Sequence, residues 1–179
     1  TWNDANEAAD GVGATPARGL TPFGRDLVRE LGRLGMLVDV SHLSEPGFWE
    51  VAELVGGPFV ASHSNADAVQ RHVRNLTDEQ ARAVAASGGL VGICFFPLFI
   101  GQPASLERLL DHVEHLAALI GVEHLAVGPD YVEPVSFVAD MAGDALYGVG
   151  PPPGELPGWA VYPEGLRDVR TLPRFTEGL

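Results

Sequence analysis

The chain has 179 residues, 46% of them hydrophobic and 20% charged, which suits one globular domain with a sizeable core and excludes a disordered chain. A formal net charge of −13 argues against a nucleic-acid partner and an anionic membrane surface, and no stretch reaches the roughly 18–20 apolar residues of a transmembrane helix. The single cysteine, Cys94, excludes an intrachain disulfide and any CxxC metal site; within the apolar run Leu90-Val-Gly-Ile-Cys-Phe-Phe96 it reads as a buried, inert thiol.

Residues 3–20, rich in Gly, Ala, Asn and Asp, read as a loop. Thr21-Pro22 then opens a helix, a capping threonine followed by proline at the first helical position, with Phe23, Leu27, Val28, Leu31 and Leu34 at helical spacing and Gly35 as the stop. The run Met36–Val40 is the first expected strand. Ser44 caps a second helix carrying Phe48, Val51, Ala52 and Val55 on one face, and the run Pro58–Ala61 is the second strand. A polar loop over 64–76 leads to Thr77-Asp-Glu-Gln80, which has the capping-box spacing and starts a third helix. The third strand is Leu90–Phe96. Ser105 caps a long helix to about Ile120, and His124–Val127 is the fourth strand.

Strand and helix thus alternate four times, with strands apolar on both faces, which signals a parallel sheet with crossover helices. Residues 129–163 break the rhythm: eight prolines and glycines lie between Gly148 and Gly158, too many for a regular element. Barrel enzymes place active-site loops in such excursions after a strand's carboxyl end. Four βα units amount to half of a TIM-like (β/α)8 barrel. The chain also starts at Thr1 and stops inside an incipient helix at Phe175–Leu179, so the expectation is a single partial domain, 1–179, truncated at both ends and containing the second half of the barrel.

The chemistry points to two histidines. Met36-Leu-Val-Asp-Val-Ser-His42 and Pro58-Phe-Val-Ala-Ser-His63 are apolar runs that each end in Ser-His, delivering an imidazole to a strand's carboxyl end. Neutral imidazoles bind zinc well when something orients them, and the preceding serine is a small polar neighbour that can help. Arg74, in the loop Arg71-His-Val-Arg-Asn75, could form a fork around a carboxylate, and Asp130 follows Val127-Gly-Pro at the end of the fourth strand. Asn75 reads as a loop holder. His72, His115 and His124 carry no ligand pattern, and His112, three residues before His115 on the Ser105 helix, is expected at the partly exposed surface. Phe48 and Trp49 read as helix-face packing, while Trp159 and Tyr162 could line a pocket or anchor their loop.

Several segments carry a resemblance. Gly19-Leu-Thr-Pro-Phe-Gly24, Leu34-Gly-Met-Leu-Val-Asp-Val-Ser-His-Leu-Ser44, Ala61-Ser-His-Ser-Asn65, Arg74-Asn-Leu-Thr-Asp78 and Gly165-Leu-Arg-Asp-Val-Arg-Thr-Leu-Pro173 resemble, in order and spacing, the membrane (renal) dipeptidase family of zinc metallopeptidases. The resemblance implies a TIM-like barrel with a binuclear zinc (Zn2+) site that hydrolyses dipeptides through a metal-bridging hydroxide. It implies that His42 and His63 are ligands of one zinc ion, that Arg74 binds the substrate carboxylate, and that Asp130 sits near the substrate amino group and assists proton transfer. It also makes a homodimer an expectation.

The chain departs from the family pattern in three places. No His-x-Asp and no bridging glutamate for the other zinc can be assigned, so half a metal site is expected here and an inactive fragment. Trp2 stands where reference members carry a substrate-contacting histidine; it can stack or donate one hydrogen bond but cannot transfer a proton. Val132 replaces the second aspartate of the family's Gly-Asp-Phe-Asp-Gly, here Gly128-Pro-Asp-Tyr-Val132. These departures keep two alternatives open: a related barrel amidohydrolase acting on N-acyl amino acids or lactones, and a non-catalytic half-barrel.

Overall fold

The computed structural model describes residues 3–131, 162–166 and 168–179. The expectations that fall on Trp2, Val132 and Trp159, and on most of the 129–163 excursion, lie outside the described residues.

Helix starts follow local capping chemistry. Helix α1 (Pro22–Arg33) opens with Thr21 Oγ1 accepting from the Gly24 N–H, and α3 (Asp78–Ala86) with a reciprocal capping box between Thr77 and Gln80. In α5 (Leu106–Ile120) the Ser105 hydroxyl accepts from the Arg108 N–H, and Gly121, at φ 88°, ends the helix. Helix α2 (Glu45–Leu54) differs: Ser44 occupies the cap position, but its hydroxyl makes no capping bond, and Pro46 in the first turn sets the helical φ instead. Among the described residues the remaining α-helices are the short α4 (Pro97–Ile100) and α6 (Pro173–Gly178).

The sheet is smaller than the sequence suggests. Its regular strands are β1 (Val91–Ile93) and β2 (Leu125–Val127), parallel, with Val91 opposite Leu125 and Ile93 opposite Val127. The expected strands Met36–Val40 and Pro58–Ala61 are present only as single parallel bridges, Asp39 to Val60 and Ala61 to Val91. Two facts account for this. Met36 and Leu37 are 54% and 63% exposed, so little burial rewards pairing there. At the other end, the Ser41 and Ser62 N–H groups leave the ladder and bond to the Asp39 carboxylate. Four extended segments still lie side by side in chain order, and α2, α3 and α5 connect each to the next. The described residues therefore form a mixed α/β arrangement built from crossover units.

Val38, Val40, Phe48, Val51, Phe59, Ala61, Val91 and Ile93 are buried in one core, where Phe48 of α2 meets Phe59 edge-on at 5.7 Å between centroids. Trp49 is largely turned outward beside Phe48. On α1 the apolar spacing overstates burial: Val28 is buried, whereas Phe23, Leu27 and Leu34 are exposed. His112 reverses its expectation and is fully buried. Its Nδ1 accepts from the Ala66 N–H at 3.2 Å and its Nε2 donates to the Ile100 carbonyl at 3.1 Å. The spacing Leu109, His112, Leu116 placed it mid-stripe on the inward face of α5, and two buried backbone groups satisfy the polar ring there.

One packing detail positions the site. A Cβ on either Gly92 or Gly128 would fall 1.9 Å from the Ser62 carbonyl oxygen. Only hydrogen at both positions lets the Ser62-His63 turn nest between the ends of β1 and β2.

Candidate functional site

His42 and His63 lie just past two neighbouring parallel segments, so their side chains converge. Their Nε2 atoms are 2.9 Å apart, with ring centroids 5.0 Å apart. Arg74, contributed by the loop before α3, reaches the same point: its Nη2 donates to His42 Nε2 at 3.1 Å, and its guanidinium lies 5.2 Å above the Phe99 ring. Three of the expected site residues therefore meet. Arg74 is buried to 2% exposure, and its guanidinium braces the His42 imidazole. The loop that carries it is held by Asn75, whose Nδ2 donates to the Gln70 and Phe99 carbonyls, and by His72, whose Nδ1 accepts the Arg74 N–H at 3.1 Å.

Asp130 is half-buried at the end of β2 and acts electrostatically on His63, whose pKa it pushes up against the larger downward effect of burial. Its backbone has φ 53°, the left-handed region that aspartate tolerates better than most residues, and its carbonyl accepts from the Tyr162 hydroxyl at 2.9 Å. Tyr162 thus anchors the chain to the Asp130 turn. Cys94 is buried beneath, its thiol pushed up to about 12 mainly by burial, so it is no nucleophile.

The protonation of the two imidazoles follows from their partners. Burial, then the Arg74 charge, then His63, push His42 down to about 3, so the ring is neutral at pH 7. Burial likewise lowers His63. His42 Nδ1 stands 2.9 Å from Asn3 Oδ1, which only accepts, so the proton sits on Nδ1 and Nε2 carries a lone pair. For His63 the partner is the Ser62 hydroxyl, 2.7 Å from Nδ1. That hydroxyl gives its one proton to Asp39 Oδ2 at 2.5 Å, so toward His63 it accepts, and Nδ1 again carries the ring proton. Asp39 itself remains ionised: burial would raise its pKa, but bonds from Ser62 and Ser41 outweigh that and lower it.

The result is two nitrogen lone pairs facing each other at 2.9 Å. Two acceptors at that distance repel unless a cation stands with them, and Arg74 supplies one N–H to one of the pair. Two neutral imidazoles with Nδ1 held and Nε2 converging are a donor set suited to a metal such as zinc, so these residues fit the group. Among the described residues no group of three or more His, Cys, Asp and Glu assembles, so the pair is a partial set there.

Sequence reasoning missed Asp39, Asn3 and Asn65. Asp39 sits three positions before His42 in Asp-Val-Ser-His, the spacing that allows its carboxylate to reach both serines. Asn65 exchanges two hydrogen bonds with the Cys94 backbone, 2.9 and 3.0 Å, and locks the loop after His63 to the end of β1.

The sequence profile of the membrane dipeptidase family (Peptidase family M19) matches residues 1–146. An uncharacterized protein from the pqqA 5' region of Klebsiella pneumoniae is 39% identical over 142 residues, covering 73% of this chain and 52% of that protein. Dipeptidase tcpJ of Claviceps purpurea is 39% identical over 116 residues, covering 63% of this chain and 27% of its own. A solved metallo peptidase from Rhodobacter sphaeroides, liganded with a phosphinate mimic of the dipeptide L-Ala-D-Ala, aligns with a TM-score of 0.77 at 32% identity, over 99% of this chain and 47% of that one. The chain spans about half the length of the first of these relatives and of the solved structure. With the family profile matching most of its length, the chain belongs to the membrane dipeptidase family, Peptidase family M19.

Proposed function

We propose that the protein containing this chain is a zinc-dependent dipeptidase with a TIM-like (β/α)8 barrel, of which these residues form the second half. In this reading His42 and His63 hold one ion of a binuclear zinc site. Arg74 grips the substrate's carboxylate, Asp130 stands near its free amino group and moves a proton, and Trp2 lies against the substrate. The observation that carries the reading is the convergence of two neutral imidazoles, lone pair to lone pair at 2.9 Å, beside a buried guanidinium. Family membership and the ligand of the Rhodobacter relative support the substrate class.

Bound zinc would supply Lewis acidity and lower the pKa of an attacking water. The chain's own residues do the remaining work. In this reading Arg74 and Asp130 take a dipeptide's two opposite charges, and the fixed separation of those charges favours dipeptides over longer chains. Arg74 is held rigid by Phe99 and His42, so little side-chain entropy remains to be lost when a carboxylate binds.

The test is an assay of the full-length protein, with and without added zinc, on L,L- and L,D-dipeptides beside N-acyl amino acids and lactones. Zinc-dependent release of free amino acids from dipeptides is expected. Turnover confined to N-acyl amino acids or lactones would make the protein an amidohydrolase of another specificity, and no turnover of any substrate would leave a non-catalytic module.

A further inference from the structure

We propose that Asp39 is a positioning residue that sets the tautomer of His63 through the Ser62 hydroxyl, and so decides whether that imidazole can ligate a metal. The inference rests on the metallodipeptidase reading for its purpose, though its measurement does not require zinc.

The argument is one of hydrogen-bond polarity. The Asp39 carboxylate accepts four bonds: Oδ1 from the Ser41 N–H (3.1 Å), the Ser41 hydroxyl (2.8 Å) and the Ser62 N–H (3.0 Å), and Oδ2 from the Ser62 hydroxyl (2.5 Å). A carboxylate can only accept, so both serine protons point at it. Each serine then presents its lone pairs elsewhere: Ser41 Oγ to the His63 N–H at 3.1 Å, Ser62 Oγ to His63 Nδ1 at 2.7 Å. One anion on the first segment thereby fixes the backbone and the ring of a histidine on the second. His42 is outside this relay, because its Nδ1 is held by Asn3. The two histidines are consequently separable by mutation, and His42 serves as an internal control.

Asp39→Asn is the decisive change, being isosteric but reversed in polarity at one atom. With the amide nitrogen facing Ser62 Oγ, that hydroxyl becomes the acceptor and turns its proton toward His63 Nδ1. The ring proton then moves to Nε2 and covers the lone pair. An orienting partner of a metal-binding histidine is commonly worth about 10–100-fold in affinity.

The experiment uses the full-length protein with 15N-labelled histidine, metal-free, at a pH where both rings are neutral. Two-bond 1H–15N spectra assign each tautomer, and zinc affinity is then read by competition with a chromophoric chelator. Wild type is expected to show Nδ1–H at both rings. Asp39→Asn should convert His63 to Nε2–H, leave His42 unchanged and weaken zinc about 10–100-fold. Ser62→Ala should leave His63 as a mixture, and adding Asp39→Asn to it should change the tautomer no further. A His63 that stays Nδ1–H in Asp39→Asn, or an Asp39→Asn effect undiminished by Ser62→Ala, overturns the relay. If the tautomer switches as described but wild type neither binds zinc nor cleaves dipeptides, the relay stands and the dipeptidase reading fails.

Discussion

Histidines in two regions of the molecule behave in opposite ways. Under α5, His112 has both ring nitrogens committed to the backbone, one accepting from Ala66 and one donating to Ile100. At the ends of the parallel segments, half-buried His42 and His63 hold Nδ1 on Asn3 and Ser62 and turn Nε2 toward each other, with Arg74 donating to His42 Nε2. The partners of the ring nitrogens, rather than the residue type, separate the two roles. A histidine with both ring nitrogens on backbone groups ties loops together, whereas a pair whose Nε2 atoms converge has nitrogens placed to ligate.

Mutation of each cluster should break the comparison in a different observable. The largest effect is expected from His42→Ala or His63→Ala: zinc affinity of the full-length protein should fall by more than the roughly 100-fold that loss of an orienting partner costs, with the thermal midpoint of the metal-free protein little changed. Unaltered zinc affinity in both variants, measured by chelator competition, would remove these residues from the ligand set. His112→Ala should do the reverse. It deletes two hydrogen bonds, leaves two buried backbone groups unsatisfied and opens a cavity, a loss of about 2–4 kcal/mol in urea denaturation, with zinc affinity of the folded fraction kept.

A pH series sharpens the contrast. Above about pH 6.5 these imidazoles are neutral in both folded and unfolded chains, so they add no pH dependence. Below it the unfolded chain takes up protons that the folded chain refuses, down to about 3 for His42 and about 4 for His72, where burial, then Arg74, dominate. The metal-free protein should lose stability progressively as pH falls through that window, and His42→Gln should flatten the slope. Equal urea midpoints at pH 7 and pH 4.5 would contradict the burial assigned to these rings. The smallest effect is expected at Thr77→Ala, whose hydroxyl, among the described residues, bonds only within its own capping box and to none of these histidines: loss of the box costs about 1 kcal/mol by thermal melting and leaves zinc affinity unchanged. A change in zinc affinity there would mean that α3, which follows the Arg74 loop, transmits strain to the site.

The two Ser-His dipeptides show how far the sequence was legible. Their position at the ends of apolar runs was visible, and so was their place at one edge, because successive segments joined by crossover helices commonly lie side by side. Their different duties were not. Ser62 bonds to the ring of its own neighbour, whereas Ser41 bonds to the backbone of the other histidine, a distinction of register invisible in a dipeptide. Asp39 was passed over for the same reason: three residues from His42, it acts on His63 across a neighbouring segment.

By itself, then, the sequence determined the features that depend on near neighbours. These are the caps at Thr21, Thr77 and Ser105, the stop at Gly35, the alternation of helix with extended run, and the presence of two imidazoles at one edge. The tertiary structure alone decided what depends on partners distant in the chain: which nitrogen of each imidazole faces the site, why Arg74 lies buried over Phe99, and why His112 is inside rather than out. The physical reason is that a helix start is settled within one turn of backbone, whereas a proton's place on an imidazole is settled by whichever donor or acceptor the fold brings within 3 Å.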